Sequence, residues 1–146
     1  MTGLLREAYG DRAILLTGGT GFLGTALVEK ILRGLPELRR LYLLVRSSKE
    51  KGADERFWKD VLGSAALVGL RERLGEDFEG YVRERVRVLE GDVHAPSLGL
   101  GEGQLAELSR EVDVVIHSAA SVVFDAPLDA ALASNVEGTL GLLRLA

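Results

Sequence analysis

The sequence predicts an α/β fold built on a doubly wound parallel sheet that stops after about four strands. Four short apolar runs recur along the chain, at residues 13–16, 41–45, 86–89 and 112–116. Patterns typical of helices separate these runs, so strand and helix candidates alternate. Alternation of this kind indicates a parallel sheet with helices packed on both faces.

A glycine-rich segment follows the first predicted strand and makes the predicted fold Rossmann-like. Gly18, Gly21 and Gly24 follow the pattern T-G-x-x-G-x-x-G, and Gly19 opens an overlapping G-x-G-x-x-G. The first glycine permits a tight turn, the second lets the backbone approach a phosphate, and the third lets helix and strand pack closely. The free amides at the start of the next helix point at that phosphate. We therefore predict a dinucleotide-binding loop made by Gly18, Thr20, Gly21, Phe22, Leu23 and Gly24.

The first predicted helix spans residues 22–33, and Gly34 with Pro36 ends it. Its apolar spacing predicts four core-facing side chains: Leu23, Ala26, Leu27 and Ile31.

The connection between the second and third strands, residues 47–85, is longer than a simple crossover, which needs only about a dozen residues. Helical patterns around 54–62 and 67–74, separated by Gly63, predict two or three surface helices. Glycines and Pro96 then predict a loop before a helix over 102–110.

The last predicted helix spans residues 127–146. Apolar residues recur on one stripe at helical spacing, which predicts that this stripe is buried: Leu128, Leu132, Val136, Leu140 and Leu143. Asn135 lies on the same side, so its amide is expected to face the sheet and to find hydrogen-bond partners. Spacing alone leaves two roles open for it, a functional one and a structural hydrogen bond to a loop.

Size and composition point to one domain, residues 1–146, with no second domain. The net charge of −4 argues against a general nucleic-acid binder. The chain has no cysteine, which excludes disulfides and thiolate ligands. It has neither a signal-peptide core nor an apolar run of membrane-spanning length, so we expect a cytoplasmic protein.

A basic residue ends the second predicted strand, where NAD-binding proteins normally carry an acid that holds the adenosine ribose. Here the residue is Arg46, and Ser47, Ser48 and Lys49 follow it as further donors. An acid would repel a 2′-phosphate, whereas an arginine attracts one. Arg46 alone would favour a solvated basic turn. Because the chain also carries the glycine loop, a 2′-phosphate site is the favoured interpretation, and we predict NADP(H) as the cofactor.

The third and fourth predicted strands also end in residues suited to a ligand at the carboxyl edge of the sheet. Asp92, followed by Val93, can accept the adenine amino group or can cap a local turn. The small side chains of Ser118, Ala119 and Ala120 would let a dinucleotide lie against the backbone. His117 opens this segment and could belong to the ligand site, or it could equally be a histidine packed beside the core. With only His94 as a companion, a histidine metal site is not expected.

Together these segments resemble the extended short-chain dehydrogenase/reductases, and within them the fatty acyl-CoA reductases. The likeness is carried by residues 17–24, 43–46, 90–93, 114–125 and 135–139. The last two segments are the most specific. The insertion with Phe57, Trp58 and Leu62, and then residues 96–100, is also similar to the acyl-CoA reductase branch.

The resemblance implies an oxidoreductase of lipid metabolism in which NADPH reduces a fatty acyl-CoA thioester to aldehyde or alcohol. It assigns Asn135 to a catalytic tetrad, holding a water that relays protons to a lysine. The family's Tyr-x-x-x-Lys pair is absent, because Ala13, Arg46 and Arg85 stand four positions after the three tyrosines. We therefore expect the NADPH-binding half of a reductase, inactive alone, whose exposed sheet edge favours self-association or pairing with another chain.

Two alternatives stay open. One is a reductase domain that acts on carrier-bound thioesters, which shares the glycine loop and the strand-end arginine; the segment 117–120 favours the acyl-CoA enzyme. The other is a non-catalytic module that binds or senses NADP, which the missing Tyr-x-x-x-Lys supports.

Overall fold

The computed structural model describes residues 2–123 and 125–145 and contains a parallel sheet of four strands. The strands are β1 (Ala13–Thr17), β2 (Arg40–Val45), β3 (Val86–Glu90) and β4 (Val114–His117), in the order β3-β2-β1-β4. Each predicted apolar run became a strand, shifted by at most two residues. This arrangement confirms the α/β, Rossmann-like prediction. Phe124, within the segment 114–125, and Ala146, the predicted end of the last helix, lie outside the described residues.

Helices connect the strands as a doubly wound fold requires. Their bounds are α1 Thr2–Tyr9, α2 Phe22–Gly34, α3 Ala53–Glu55, α4 Val68–Leu74, α5 Phe78–Arg85, α6 Glu102–Glu111, α7 Leu128–Leu132 and α8 Gly138–Leu143. Two π-helical segments extend this set: Arg56–Val61 continues α3, and Ala133–Glu137 joins α7 to α8. Short 3-10 turns occupy Ala65–Leu67, Gly75–Asp77 and Pro96–Gly99. We did not predict α1 from the sequence.

The sheet has a buried cluster on each face because side chains alternate along a strand. Ile14 and Leu16 of β1 point to the face covered by α2 and by the insertion between β2 and β3. Leu15 and Tyr42 point to the opposite face, which α6 and α8 cover. Helices thus cover both faces of the sheet. Because all four strands are parallel, their carboxyl ends meet at one edge of it.

The insertion between β2 and β3 does contain helices at the predicted places, with Gly63 between them. The prediction that they lie on the surface is wrong, because their apolar sides form much of the core on one face of the sheet. The buried residues are Phe57, Val61, Leu62, Leu67, Leu70, Phe78 and Val82.

The two longest predicted stripes are rotated in the structure. On α2, Leu23 and Ala26 are exposed, Leu27 is partly buried, and the buried positions are Gly24, Val28, Ile31 and Leu32. On the last helix, the predicted stripe faces solvent, with exposed fractions from 45% at Val136 to 74% at Leu128.

Small residues explain the second rotation. Gly138, Gly141 and Leu142 share one side of the last helix, and Leu142 is 3% exposed. A Cβ at Gly138 would lie 3.3 Å from Val93, and one at Gly141 would lie 3.6 Å from Leu98. The helix therefore packs through its glycines onto the loop after β3, which turns the leucine stripe outward.

No helix within the described residues is long and apolar enough to cross a membrane.

Candidate cofactor-binding site

A cleft of about 500 Å³ opens at the carboxyl edge of the sheet, where the loops after all four strands converge. Most of the predicted cofactor contacts line it: Gly18, Thr20, Gly21, Arg46, Asp92, Val93, Ser118, Ala119 and Ala120. Thr17, Leu44, Arg56, Gly91, His94 and residues 121–123 complete the lining. The fold thus brings together residues that are separated by more than a hundred positions in the chain. In doubly wound proteins this edge is where ligands bind.

The glycine loop after β1 can be built only with glycine at two positions. Gly18 has a φ of +73°, and a Cβ there would lie 2.5 Å from the Ser118 carbonyl carbon of the loop after β4. A Cβ on Gly24 would lie 2.6 Å from the Gly18 carbonyl carbon and 2.7 Å from the Gly19 Cα. Because of these close approaches, the loop packs directly on the start of α2, and backbone atoms of the two glycines replace side chains beside the cleft.

The start of α2 is open to a ligand. Gly21 caps the helix without a side-chain hydrogen bond, and its own amide donates to the Gly18 carbonyl at 2.9 Å. Phe22 and Leu23 project their side chains into solvent, with Phe22 97% exposed. Their side chains do not line the cleft, so any contact they make with an anion there comes from the first backbone amides of α2.

Two arginines flank the glycine loop on the side of β2. Arg46 follows β2 with its side chain 66% exposed, and its Nη1 lies 3.7 Å from Asp92 Oδ2. Arg56 begins the π-helical segment of the insertion; it donates through Nη1 to the Arg46 carbonyl oxygen, and its Nη2 lies 3.4 Å from Thr20 Oγ1. The Arg56 guanidinium therefore ties the end of β2 to the glycine loop at the cleft wall.

Ser48, one of the donors predicted after Arg46, has a local role in the structure. The Ser48 hydroxyl accepts hydrogen bonds from the amides of Glu50 and Lys51, at 3.3 and 3.0 Å. This hydroxyl therefore stabilises the turn after β2, while Ser47 lines a neighbouring depression beside Arg46 and Asp92.

Asp92 caps a local turn, which is one of the two roles that the sequence left open for it. Its Oδ1 accepts a hydrogen bond from the His94 amide at 3.0 Å and lies 2.6 Å from His94 Nδ1, so it caps the turn after β3. Partial burial raises the pKa of Asp92, but the hydrogen bonds from His94 and the charge of Arg46 outweigh burial and lower that pKa overall. Asp92 is consequently an ionised acceptor on the cleft wall.

The loop after β4 is held against the glycine loop by a buried hydroxyl. Thr17 is 0% exposed, and its Oγ1 lies 2.6 Å from His117 Nδ1. The Ala119 amide donates to the same oxygen at 3.4 Å, and the Ser118 amide donates to the Thr17 carbonyl at 3.2 Å. Burial lowers the pKa of His117. His117 is thus a half-buried histidine that is hydrogen-bonded beside the core, as one interpretation of the sequence had it.

Asn135 lies in the π-helical segment between α7 and α8 and bonds to a loop. Its Oδ1 accepts from the Ser121 amide at 2.8 Å, and its Nδ2 donates to the Ser121 carbonyl at 3.1 Å. The side chain is exposed and does not face the sheet, which corrects the prediction from its spacing. Since Ser121 lines the cleft, Asn135 fixes one end of the cleft wall without lining it.

Sequence reasoning missed Arg56 and Thr17. Arg56 reaches the cleft only because of how the insertion folds over β2, which no spacing rule predicts. A signal existed for Thr17, since it ends β1 and His117 ends the adjacent β4, and parallel pairing places them side by side. Within the described part of the chain, no group of three or more His, Asp or Glu side chains is arranged to hold a metal ion.

Comparison with known proteins identifies the family. Residues 16–146 match a family profile for NAD binding that is described as male sterility protein. The chain belongs to this family. Fatty acyl-CoA reductase 1 of Arabidopsis thaliana is 38% identical to the chain over 142 residues. The match covers 96% of the chain and 29% of the relative. The alcohol-forming fatty acyl-CoA reductase of Simmondsia chinensis is 37% identical over 145 residues, covering 99% and 29%.

A solved structure shows the same fold. The terminal R domain from the myxalamid PKS-NRPS biosynthetic pathway superposes with a TM-score of 0.74 at 35% sequence identity, over 93% of this chain and 32% of that one. This male sterility family member therefore spans about a third of the length of the proteins it matches. The family profile and the fold indicate that this portion binds a nicotinamide cofactor.

Proposed function

We propose that this chain binds NADP(H) and forms the cofactor-binding portion of a reductase that acts on fatty acyl thioesters. The observation that carries the cofactor choice is the pair of guanidinium groups beside the glycine loop. Arg46 ends β2, and Arg56 joins its carbonyl to Thr20. An acid at the end of β2 would favour an unphosphorylated ribose, and this chain has two cations there instead.

The cleft fits such a cofactor in shape as well as in charge. The glycines at positions 18 and 24 remove the Cβ atoms that would fill the phosphate cradle. We assign the pyrophosphate to the loop amides and the start of α2, which supply donors and the positive end of the helix dipole. We assign the 2′-phosphate to Arg46, whose side chain is 66% exposed, with the half-buried Arg56 guanidinium beside it as a second positive charge.

The remaining walls orient the two ends of the dinucleotide. Asp92 is ionised and accepts the adenine amino group, with Val93 beside it on the wall. Ser118, Ala119 and Ala120 are small enough for the nicotinamide half to lie against the backbone. Asn135 positions Ser121 and, through it, this segment. When bound, the reduced nicotinamide supplies the hydride.

The proposed substrate class rests on the relatives. The matched plant proteins are named as fatty acyl-CoA reductases and one as alcohol-forming, which supports a free acyl-CoA substrate. The matched solved structure comes from a PKS-NRPS pathway, which supports a carrier-bound thioester as the second candidate. Steady-state turnover of a full-length protein containing this chain separates the two: preference for acyl-CoA supports the first, and preference for the acyl-carrier protein supports the second.

The cofactor proposal is tested by calorimetric titration of the 146-residue chain with NADP⁺ and with NAD⁺. We expect NADP⁺ to bind more tightly. Arg46→Ala should weaken NADP⁺ binding by about 10- to 150-fold, because a hydrogen bond to a charged group contributes about 1.5–3 kcal/mol. NAD⁺ affinity should change little. Arg73→Ala, which removes an exposed cation on α4, is the matched control. Equal affinity for both nucleotides in the unmodified chain would refute the assignment of the 2′-phosphate site.

Arg56→Lys tests the second cation separately. A lysine keeps the charge but cannot donate at once to the Arg46 carbonyl and toward Thr20. We expect NADP⁺ affinity to fall while NAD⁺ affinity is kept. A loss of both in equal measure would mean that Arg56 only holds the loops together.

A further inference from the structure

Thr17 is a buried polar side chain on the floor of the cleft, at the point where the first and last strands end together. Thr17 and His117 are direct partners in the β1–β4 register. Both are the last residues of their strands, so the loops that leave them form opposite walls of the same cleft. A hydroxyl that is fully buried must find partners, since an unsatisfied one costs free energy.

The hydroxyl has two described partners, and together they fix its orientation. The Ala119 amide can only donate, so it donates to Thr17 Oγ1, at 3.4 Å. Of the two described partners, His117 Nδ1, 2.6 Å away, is the one that can accept the hydroxyl proton, and a proton on Nδ1 would leave this buried donor unsatisfied. Nδ1 can accept that proton only in the neutral ring that carries its own proton on Nε2. Burial lowers the pKa of His117, which favours this neutral form.

From this geometry we infer that Thr17 and His117 are a positioning pair: the Thr17 hydroxyl holds the His117 ring as its Nε2–H tautomer and holds residues 118–120 against the glycine loop. One short side chain thereby joins the two loops that line the cleft. The approach is close on the backbone side as well, because a Cβ at Gly18 would lie 2.6 Å from the Ala119 nitrogen. The consequence for cofactor affinity rests on the proposed function, whereas the tautomer and the loop contact do not.

The pair is tested first without any ligand. Nitrogen-15 NMR of the unmodified chain should place His117 Nδ1 in the unprotonated, acceptor range at neutral pH, and the Ala119 amide should be protected from hydrogen exchange. Thr17→Ser keeps the hydroxyl and should preserve both signals. Thr17→Val has a similar shape and no hydroxyl; it should change the His117 ring signals and speed exchange at Ala119. A protonated Nδ1 in the neutral ring of the unmodified chain would overturn the inference, even if Thr17→Val failed to fold.

The second readout is NADP⁺ affinity. We expect Thr17→Val to weaken NADP⁺ by about threefold to tenfold, as for the loss of one net hydrogen bond, and Thr17→Ser to restore it. Unchanged affinity together with unchanged exchange at Ala119 in Thr17→Val would overturn the inference. If the unmodified chain bound neither nucleotide but showed the expected ring signals and the expected Thr17→Val change, the proposed function would fail and the positioning pair would stand.

Discussion

Replacing Gly24 with alanine should separate the glycine loop from helix α2. The new Cβ would lie 2.6 Å from the Gly18 carbonyl carbon, whereas ordinary contact begins at 3.4 Å. The loop must therefore retreat by at least about 0.8 Å, which is the difference between these two distances. The atoms that the new Cβ would meet belong to the backbone, so no flexible side chain can move aside. Overpacking of this kind costs about 1–3 kcal/mol.

Thermal unfolding followed by circular dichroism measures this cost. For a chain of this size, about 1 kcal/mol lowers Tm by roughly 3 °C, so Gly24→Ala should lower it by roughly 3–10 °C. NADP⁺ affinity should fall at least about tenfold, since a displacement of the cradle spoils several hydrogen bonds at once. Gly34→Ala is the control on the same helix, because a Cβ there meets nothing within 4 Å. If both variants had the unmodified Tm and affinity, the close-packing argument for the glycine loop would be refuted.

Three further predictions concern the insertion, the last helix and pH. Leu70→Ala should destabilise the chain by about 2–5 kcal/mol in denaturant unfolding, because Leu70 is fully buried in the core; the exposed neighbour Val68→Ala should stay within about 0.5 kcal/mol. Asn135→Ala should speed amide exchange at Ser121, which loses both of its side-chain hydrogen bonds. Stability should fall as the pH is lowered through about 6.5, because the unfolded chain protonates His117 before the folded chain does; an equally steep fall in His117→Asn would contradict this.

The sheet was the most predictable part of the fold because its signal is local. Strands such as β1 and β2 are buried on both faces, so they read as continuous apolar runs that glycine or charge interrupts. The glycine motif then fixed the strand-to-helix turn and with it the cleft edge. The positions of Arg46 and Asp92 were predictable for the same reason, since each lies within two residues of the end of a strand that the sequence locates.

The side that a helix buries was much less predictable. Periodicity identified the last helix, but two glycines on its other side allow closer packing, and the leucine stripe at Leu128 and Leu132 therefore faces solvent. For the insertion, the error was the reverse. Its charged residues suggested a surface element, whereas its apolar residues Phe57 and Leu70 form part of the core. In both cases the deciding contact lies far away in the chain.

The two π-helical segments were not predicted from the sequence, and each contains a candidate site residue. Arg56 opens one segment and Asn135 lies inside the other. A π-helical turn widens the helix and is found frequently at functional sites. Here each segment places a polar side chain where it reaches a loop of the cleft: Thr20 in one case and Ser121 in the other. The helical period used to read the sequence does not apply within them, which explains why the orientation of Asn135 was predicted wrongly.

The most direct test of the central claim is amide NMR of the 146-residue chain titrated with NADP⁺. If the cleft is the cofactor site, the largest shifts will fall on the glycine loop 18–24, on Arg46 and on residues 91–93 and 118–121. NAD⁺ should leave Arg46 less affected, because it lacks the 2′-phosphate. Shifts centred away from the carboxyl edge of the sheet would contradict the account, as would the absence of shifts in a folded sample.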